Sequence, residues 1–277
     1  MRLRRLARLP ALAFLMLLGG CSALQLLDAL TADGGYRRQA DIAYGTLPRQ
    51  KLDVYYPLTQ PVPGRPVLVF FYGGSWNSGE RGDYRFIGQS FASAGYVTVV
   101  ADYRLAPAVK FPAFIEDSAA AVAWVARNIP DAAGHIVVAG HSAGAYNAAM
   151  LACDHRWLDA AGIGRQVLAG FIGVAGPYDF TPTGEFVQIL DPVVMPITGA
   201  DGHEPPSLLL VAEGDETVMP GNTDRLAARL RALGDRVETR RYRGPSHAKL
   251  VAALGTALPD IAPARADVLA FLATLGR

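Results

Sequence analysis

The residues whose types and spacing could do chemistry centre on Ser142, inside Gly140-His-Ser-Ala-Gly144. A serine hydroxyl becomes a nucleophile when a base takes its proton and a third group orients that base. The chain offers five histidines for the base: His135, His141, His155, His203 and His247. Acids for the third role cluster in Glu213-Gly-Asp-Glu216, just after an apolar run. A second glycine-bearing segment, Tyr72-Gly-Gly-Ser-Trp76, also follows an apolar run. Glycines there let the backbone approach a reacting group closely. Such a set supports acyl transfer through a covalent intermediate, with no metal or cofactor.

These groups need a scaffold, and the pattern of the chain supplies one. Continuous apolar runs at Val67–Tyr72 and Tyr96–Ala101 read as strands buried on both faces, and His135–Ala139, Leu168–Val174 and Ser207–Ala212 read as further strands. Val237–Tyr242 adds another, and Asp41–Tyr44 with Lys51–Tyr56 reads as an antiparallel hairpin across a Gly45/Pro48 turn. Helical spacing falls over 83–94, Phe114–Asn128, Ser142–Ala152, Asn222–Leu233 (stopped by Gly234) and Ala264–Leu275. Strands alternating with helices predict an α/β domain over 40–277, with a mostly parallel sheet covered on both faces. Residues 176–206, rich in Gly and Pro, break the alternation and are the candidate for a cap over the site.

The serine pentapeptide lies between a predicted strand and a predicted helix, the setting that makes G-x-S-x-G informative. The turn is tight, so small residues are needed at both ends. The Ala143 N–H, at the helix start, can point at an oxyanion. This context resembles the nucleophile elbow of the α/β hydrolases. The esterases related to hormone-sensitive lipase and the kynurenine-formamidase-like esterases carry His-Gly-Gly-x, or His-Gly-Gly-x-Trp, where this chain has Tyr72-Gly-Gly-Ser-Trp76. Asp102-Tyr-Arg-Leu-Ala-Pro107 and Phe111-Pro-Ala113 are similar to further stretches of the same group, and the resemblance covers about residues 40–275. It implies an oxyanion hole of Gly74, Ser75 and Ala143. The departure is Tyr72, where the family histidine supports the loop.

In that fold the nucleophile, acid and base follow one another in the chain. His135 and His141 precede the serine, His155 follows it too closely, and His203 precedes the strand that delivers the acid. His247 comes after every candidate acid, in a loop after the last predicted strand. For the acid, Asp215 matches the Asp-x-x-Val pattern of the family; Glu216 is the nearer rival and Glu213 a neighbour. The reading is a carboxylic ester hydrolase acting on a small-molecule ester. An aryl formamidase and a non-catalytic envelope lipoprotein on a hydrolase scaffold stand as alternatives.

The N-terminus reads as an address. Arg2, Arg4, Arg5 and Arg8 precede a short apolar stretch, then Leu18-Gly-Gly-Cys21. This resembles the bacterial lipobox: residues 1–20 form a signal peptide, Cys21 is lipidated, and 21–39 form a tether. Ser22 after the cysteine favours the outer membrane, facing the periplasm. Several acyl chains would anchor the protein stably.

Composition bounds the rest. The chain has 277 residues, 51% hydrophobic and 18% charged, with a net charge of +1, which gives no sign of a nucleic-acid surface. The two cysteines, Cys21 and Cys153, have neither metal-ligand spacing nor a disulfide framework, and Cys153 reads as a packed apolar residue. Trp76, Tyr178 and Phe180 could line a pocket or simply pack. Glu116 and Asp117 read as structural, and Arg240, Arg241 and Arg243 as a solvated strand edge.

Overall fold

A computed structural model describes residues 27–59 and 64–276. The signal segment and Cys21 therefore lie outside the described residues. Eight strands form one sheet: β1 (Tyr36–Ala43), β2 (Lys51–Pro57), β3 (Val67–Phe71), β4 (Thr98–Ala101), β5 (Ile136–His141), β6 (Leu168–Val174), β7 (Ser207–Ala212) and β8 (Val237–Tyr242). Their order is β1-β2-β4-β3-β5-β6-β7-β8. β2 runs antiparallel to both of its neighbours, and β4, β3, β5, β6, β7 and β8 pair in parallel. Every residue of β3, β4, β5 and β7 is buried, which is why these strands read as unbroken apolar runs rather than alternating ones.

The longer helices are α1 (Arg85–Ala92), α2 (Ala113–Asn128), α3 (Ala143–Cys153), α7 (Gly221–Leu233) and α9 (Ala264–Ala273); α4 (Arg156–Ala160), α5 (Phe186–Ile189), α6 (Pro196–Gly199) and α8 (His247–Ala252) are short. Gly234 closes α7 in the left-handed conformation (φ 96°) that favours glycine. α5 and α6 sit in the 176–206 segment, between β6 and β7. Cys153 is a buried free thiol, and burial raises its pKa, consistent with a packed apolar role.

The structure differs from expectation at the N-terminal edge. β1 begins at Tyr36 rather than Asp41, so part of the expected tether is a strand paired with β2 from Tyr36↔Pro57 onward. The polar run Arg37-Arg-Gln39 carries no alternation, because an exposed edge strand has no face to bury; backbone pairing and Arg37 stacked 4.3 Å over Tyr56 hold it. Residues just before it are also docked: Leu27 and Thr31 are buried, and Arg85 on α1 pairs with Asp28 at 3.0 Å.

Candidate active site

Each group singled out at Ser142, Gly74–Trp76, Asp215 and His247 follows the carboxyl end of a parallel strand: β5, β3, β7 and β8 respectively. In open α/β sheets that edge is where crevices form. Ser142 bridges β5 and α3 with φ 53° and ψ −122°, a conformation that side-chain-bearing residues avoid unless their surroundings impose it. Its N–H donates to Val174 O at 3.0 Å, pinning the turn to β6. The flanking glycines are required by contact. A Cβ on Gly140 would lie 2.2 Å from Gly144 O, and one on Gly144 would lie 2.1 Å from Phe71 O.

His247 opens α8, and its Nδ1 lies 2.7 Å from Asp215 Oδ2. Asp215 is buried, while the His247 side chain keeps 13% of its exposure. The other Asp215 oxygen, Oδ1, accepts the N–H groups of Thr217 and Val218, both at 2.9 Å. Burial disfavours the charged carboxylate here. The His247 hydrogen bond and these two amides outweigh it and hold the carboxyl below its ordinary value. Of the rival acids, Glu213 pairs with Arg243 at 3.1 Å on the surface and Glu216 is exposed. Among the described residues Ser142 Oγ makes no hydrogen bond.

His141, the residue before Ser142, packs beside His247. The His141 ring lies 4.6 Å from the His247 ring and is buried with both nitrogens unpartnered. Burial, then the neighbouring His247, holds its pKa well below the usual histidine value, so it stays neutral. Gly73 closes the other side: a Cβ there would lie 3.0 Å from Ser142 Cβ.

Ser75, Trp76, Ser142 and Ala143 share the wall of one cleft of about 310 Å³ with Phe180, Phe186, Val218 and Met219. The 176–206 segment thus supplies Phe180 and Phe186 to the cleft. Gly74 does not line it; at φ 132° it turns the chain, and its carbonyl accepts the amides of Asn77 and Ser78. A larger groove of about 660 Å³, lined by Asn77, Lys110, Glu185 and Gln188 among others, does not include Ser142. Tyr178 packs away from the cleft, edge-on to Phe171.

Tyr72 sits in the histidine's place as a packed support. It stacks on Tyr103 and Tyr84, with centroids 4.7 and 5.7 Å away. Tyr103 Oη donates to its carbonyl at 2.7 Å, and its own hydroxyl accepts Arg49 Nη2 at 2.6 Å. Arg49 also donates to Gly79 O and Tyr103 O, and the Gly73 amide donates to Tyr84 Oη at 3.3 Å. Asp117 is structural, accepting from Gln50 and Arg104, and Arg240, Arg241 and Arg243 all pair with surface carboxylates.

Sequence reasoning missed Asn147 and Asn222. Asn222, at 5% exposure, lines the cleft and accepts the Asp179 amide at 3.0 Å. Asn147 is buried on α3 and accepts Trp76 Nε1–H at 3.0 Å. The available signal for Asn147 was a lone amide in the apolar stretch Ala143–Cys153.

The chain is similar to known proteins in sequence and in fold. A family profile described as BD-FAE matches residues 52–185. Esterase LipC of Mycobacterium tuberculosis is 30% identical over 226 residues, covering 72% of this chain and 56% of its own length. Kynurenine formamidase of Danio rerio is 30% identical over 143 residues, covering 51% of this chain and 47% of its own. The chain spans about half the length of these curated relatives. A solved esterase from Pyrobaculum calidifontis superposes with a TM-score of 0.73 at 25% identity, over 92% of this chain and 89% of that one. A truncated carbohydrate esterase from gut microbiota superposes at 0.74 with 17% identity, over 88% of this chain and 98% of that one, a likeness of fold alone. The chain has the α/β-hydrolase fold, and over part of their length its sequence is similar to esterases and to a kynurenine formamidase.

Proposed function

We propose that this protein hydrolyses carboxylic esters through Ser142, His247 and Asp215. The observation that carries the reading is the 2.7 Å contact between His247 Nδ1 and a buried Asp215 carboxylate, together with a serine held at φ 53° on the wall of the cleft, whose neighbour His141 lies 4.6 Å from the His247 ring. With Nδ1–H donated to Asp215, Nε2 is left as the acceptor for the Ser142 proton. Ser142 Oγ then attacks the ester carbonyl. The amides of Ser75 and Ala143 receive the oxyanion, with Gly74 giving the loop its turn. His247 returns the proton to the leaving alcohol, and water cleaves the acyl-enzyme by the same route. The walls Trp76, Phe180, Phe186, Val218 and Met219 suit an uncharged, apolar acyl group.

A fluorophosphonate probe tests this. Covalent labelling lost in Ser142→Ala supports it; folded wild-type protein that takes no label sinks it and favours a non-catalytic envelope protein. Release of p-nitrophenol from acetate through decanoate esters then ranks acyl length. An aryl formamide in the same assay tests amide hydrolysis, which the formamidase relative and the aromatic cleft walls favour as the second reading. We further propose a lipid anchor at Cys21, holding the domain at the outer membrane on the periplasmic side; a Cys21→Ser chain that still fractionates with membranes would overturn it.

A further inference from the structure

The two halves of the oxyanion hole belong to different elements. Ser75 lies in the loop after β3, and Ala143 opens α3. Their separation therefore depends on how the loop is fastened to the helix. Ser75 and Trp76 both have positive φ, 53° and 58°, which side-chain-bearing residues keep only where neighbours impose it.

The fastening is visible. The Trp76 ring packs against Tyr146 of α3, Phe114 of α2 and Phe186 of the cap, with centroids 5.1, 5.7 and 6.0 Å away. Ring contacts set the plane of the indole, but they allow it to slide. The directional contact is Trp76 Nε1–H donated to Asn147 Oδ1 at 3.0 Å. Asn147 is fully buried, and its Nδ2 donates to Ser118 Oγ at 3.3 Å. Ser118 Oγ in turn donates to Phe114 O at 2.7 Å. A buried amide oriented from both ends has one orientation available.

We propose that Asn147 is a positioning residue for the oxyanion hole: by holding the Trp76 indole to the nucleophile helix, it sets the distance between the Ser75 and Ala143 amides. The proposal rests on the reading of Ser142 as the nucleophile. Asn147 touches no substrate. It acts through Trp76 and so on the transition state more than on the bound ester, whose carbonyl has not yet become an oxyanion.

The test uses Asn147→Leu, Trp76→Phe and the double variant, with p-nitrophenyl acetate as substrate and thermal melting as a control for folding. Loss of a whole oxyanion donor typically costs about 10²–10³ in rate, so a displaced donor is expected to cost about 10-fold or more in kcat. KM is expected to stay within about twofold for Asn147→Leu, because the lost interaction belongs to the transition state. The double variant is expected to be no worse than the poorer single, since both remove one contact. Trp76→Phe keeps an aromatic ring and removes the N–H, so it decides the question if Asn147→Leu does not fold. A Trp76→Phe protein with unchanged kcat overturns the proposal. So does a folded Asn147→Leu protein that melts lower with kcat intact, or additive losses in the double variant. A wild-type chain that hydrolyses no ester and takes no fluorophosphonate overturns the Ser142 reading and this proposal with it; an active wild type with unaffected variants overturns this proposal alone.

Discussion

Replacing Asp215 by asparagine exchanges one oxygen of the site for an NH₂ group and should disable it. The two carboxylate oxygens have separate partners: Oδ1 accepts the Thr217 and Val218 amides, and Oδ2 faces His247 Nδ1. In the Asp215→Asn variant, the new amide oxygen must take the Oδ1 position, because an NH₂ there would meet two N–H donors. The NH₂ then faces His247 and donates to Nδ1. The imidazole is forced to carry its proton on Nε2, the nitrogen that should accept the proton from Ser142. The same change in other serine triads lowers kcat about 10⁴-fold, which at about 1.36 kcal/mol per tenfold is roughly 5.4 kcal/mol of transition-state stabilisation. Size and shape are conserved, so the protein should still fold. The assay is kcat on p-nitrophenyl acetate, with Glu216→Gln as the companion; Glu216 is exposed, and its variant should stay within about twofold of wild type, as surface changes usually do. An Asp215→Asn protein within about tenfold of wild type, or a Glu216→Gln protein that loses more, would refute the argument.

Three further outcomes follow from the geometry. The Asp215 carboxyl is held below its ordinary value, so it adds stability that is present above its unfolded value and lost as pH falls through the folded one; melting followed downward through the ordinary carboxylate range should show a flatter acid limb for Asp215→Asn. Gly144→Ala forces a Cβ to 2.1 Å from Phe71 O and 2.4 Å from Tyr72 O, both backbone atoms, so its cost should reach the top of the usual overpacking range of about 1–3 kcal/mol or exceed it; an unchanged melting temperature would contradict this. Phe186→Ala opens the cap side of the cleft, and the ratio of kcat/KM for octanoate over butyrate esters should rise; a constant ratio would remove Phe186 from the acyl wall.

The central strands and the long helices were legible because burial on both sheet faces leaves unbroken apolar runs and helical burial leaves a repeat, both local patterns. β1 was only half legible: its outer residues face solvent, and strand pairing there is a backbone event without a side-chain signature. The 3.6-residue repeat also says nothing of why an amide, Asn147, stands in the apolar run of α3; its partners, Trp76 and Ser118, lie far from it in the chain.

The sequence by itself determined that Ser142 would sit on a strand-to-helix elbow, because the elbow needs glycine at fixed offsets, and it singled out His247 as the histidine that follows every candidate acid in the chain. Among those acids, resemblance to the family pattern favours Asp215 over Glu216, its nearer rival. The tertiary structure alone supplies the contact itself: the turn after β7 gives Asp215 two amides and buries it against His247, while Glu213 and Glu216 are exposed. It also decided what Tyr72 does, since stacking on Tyr84 and Tyr103 and accepting from Arg49 depend on segments that only the folded sheet brings together. Offsets within a turn are local and can be read along a chain; hydrogen bonds between side chains on separate loops exist only once the sheet has set those loops side by side.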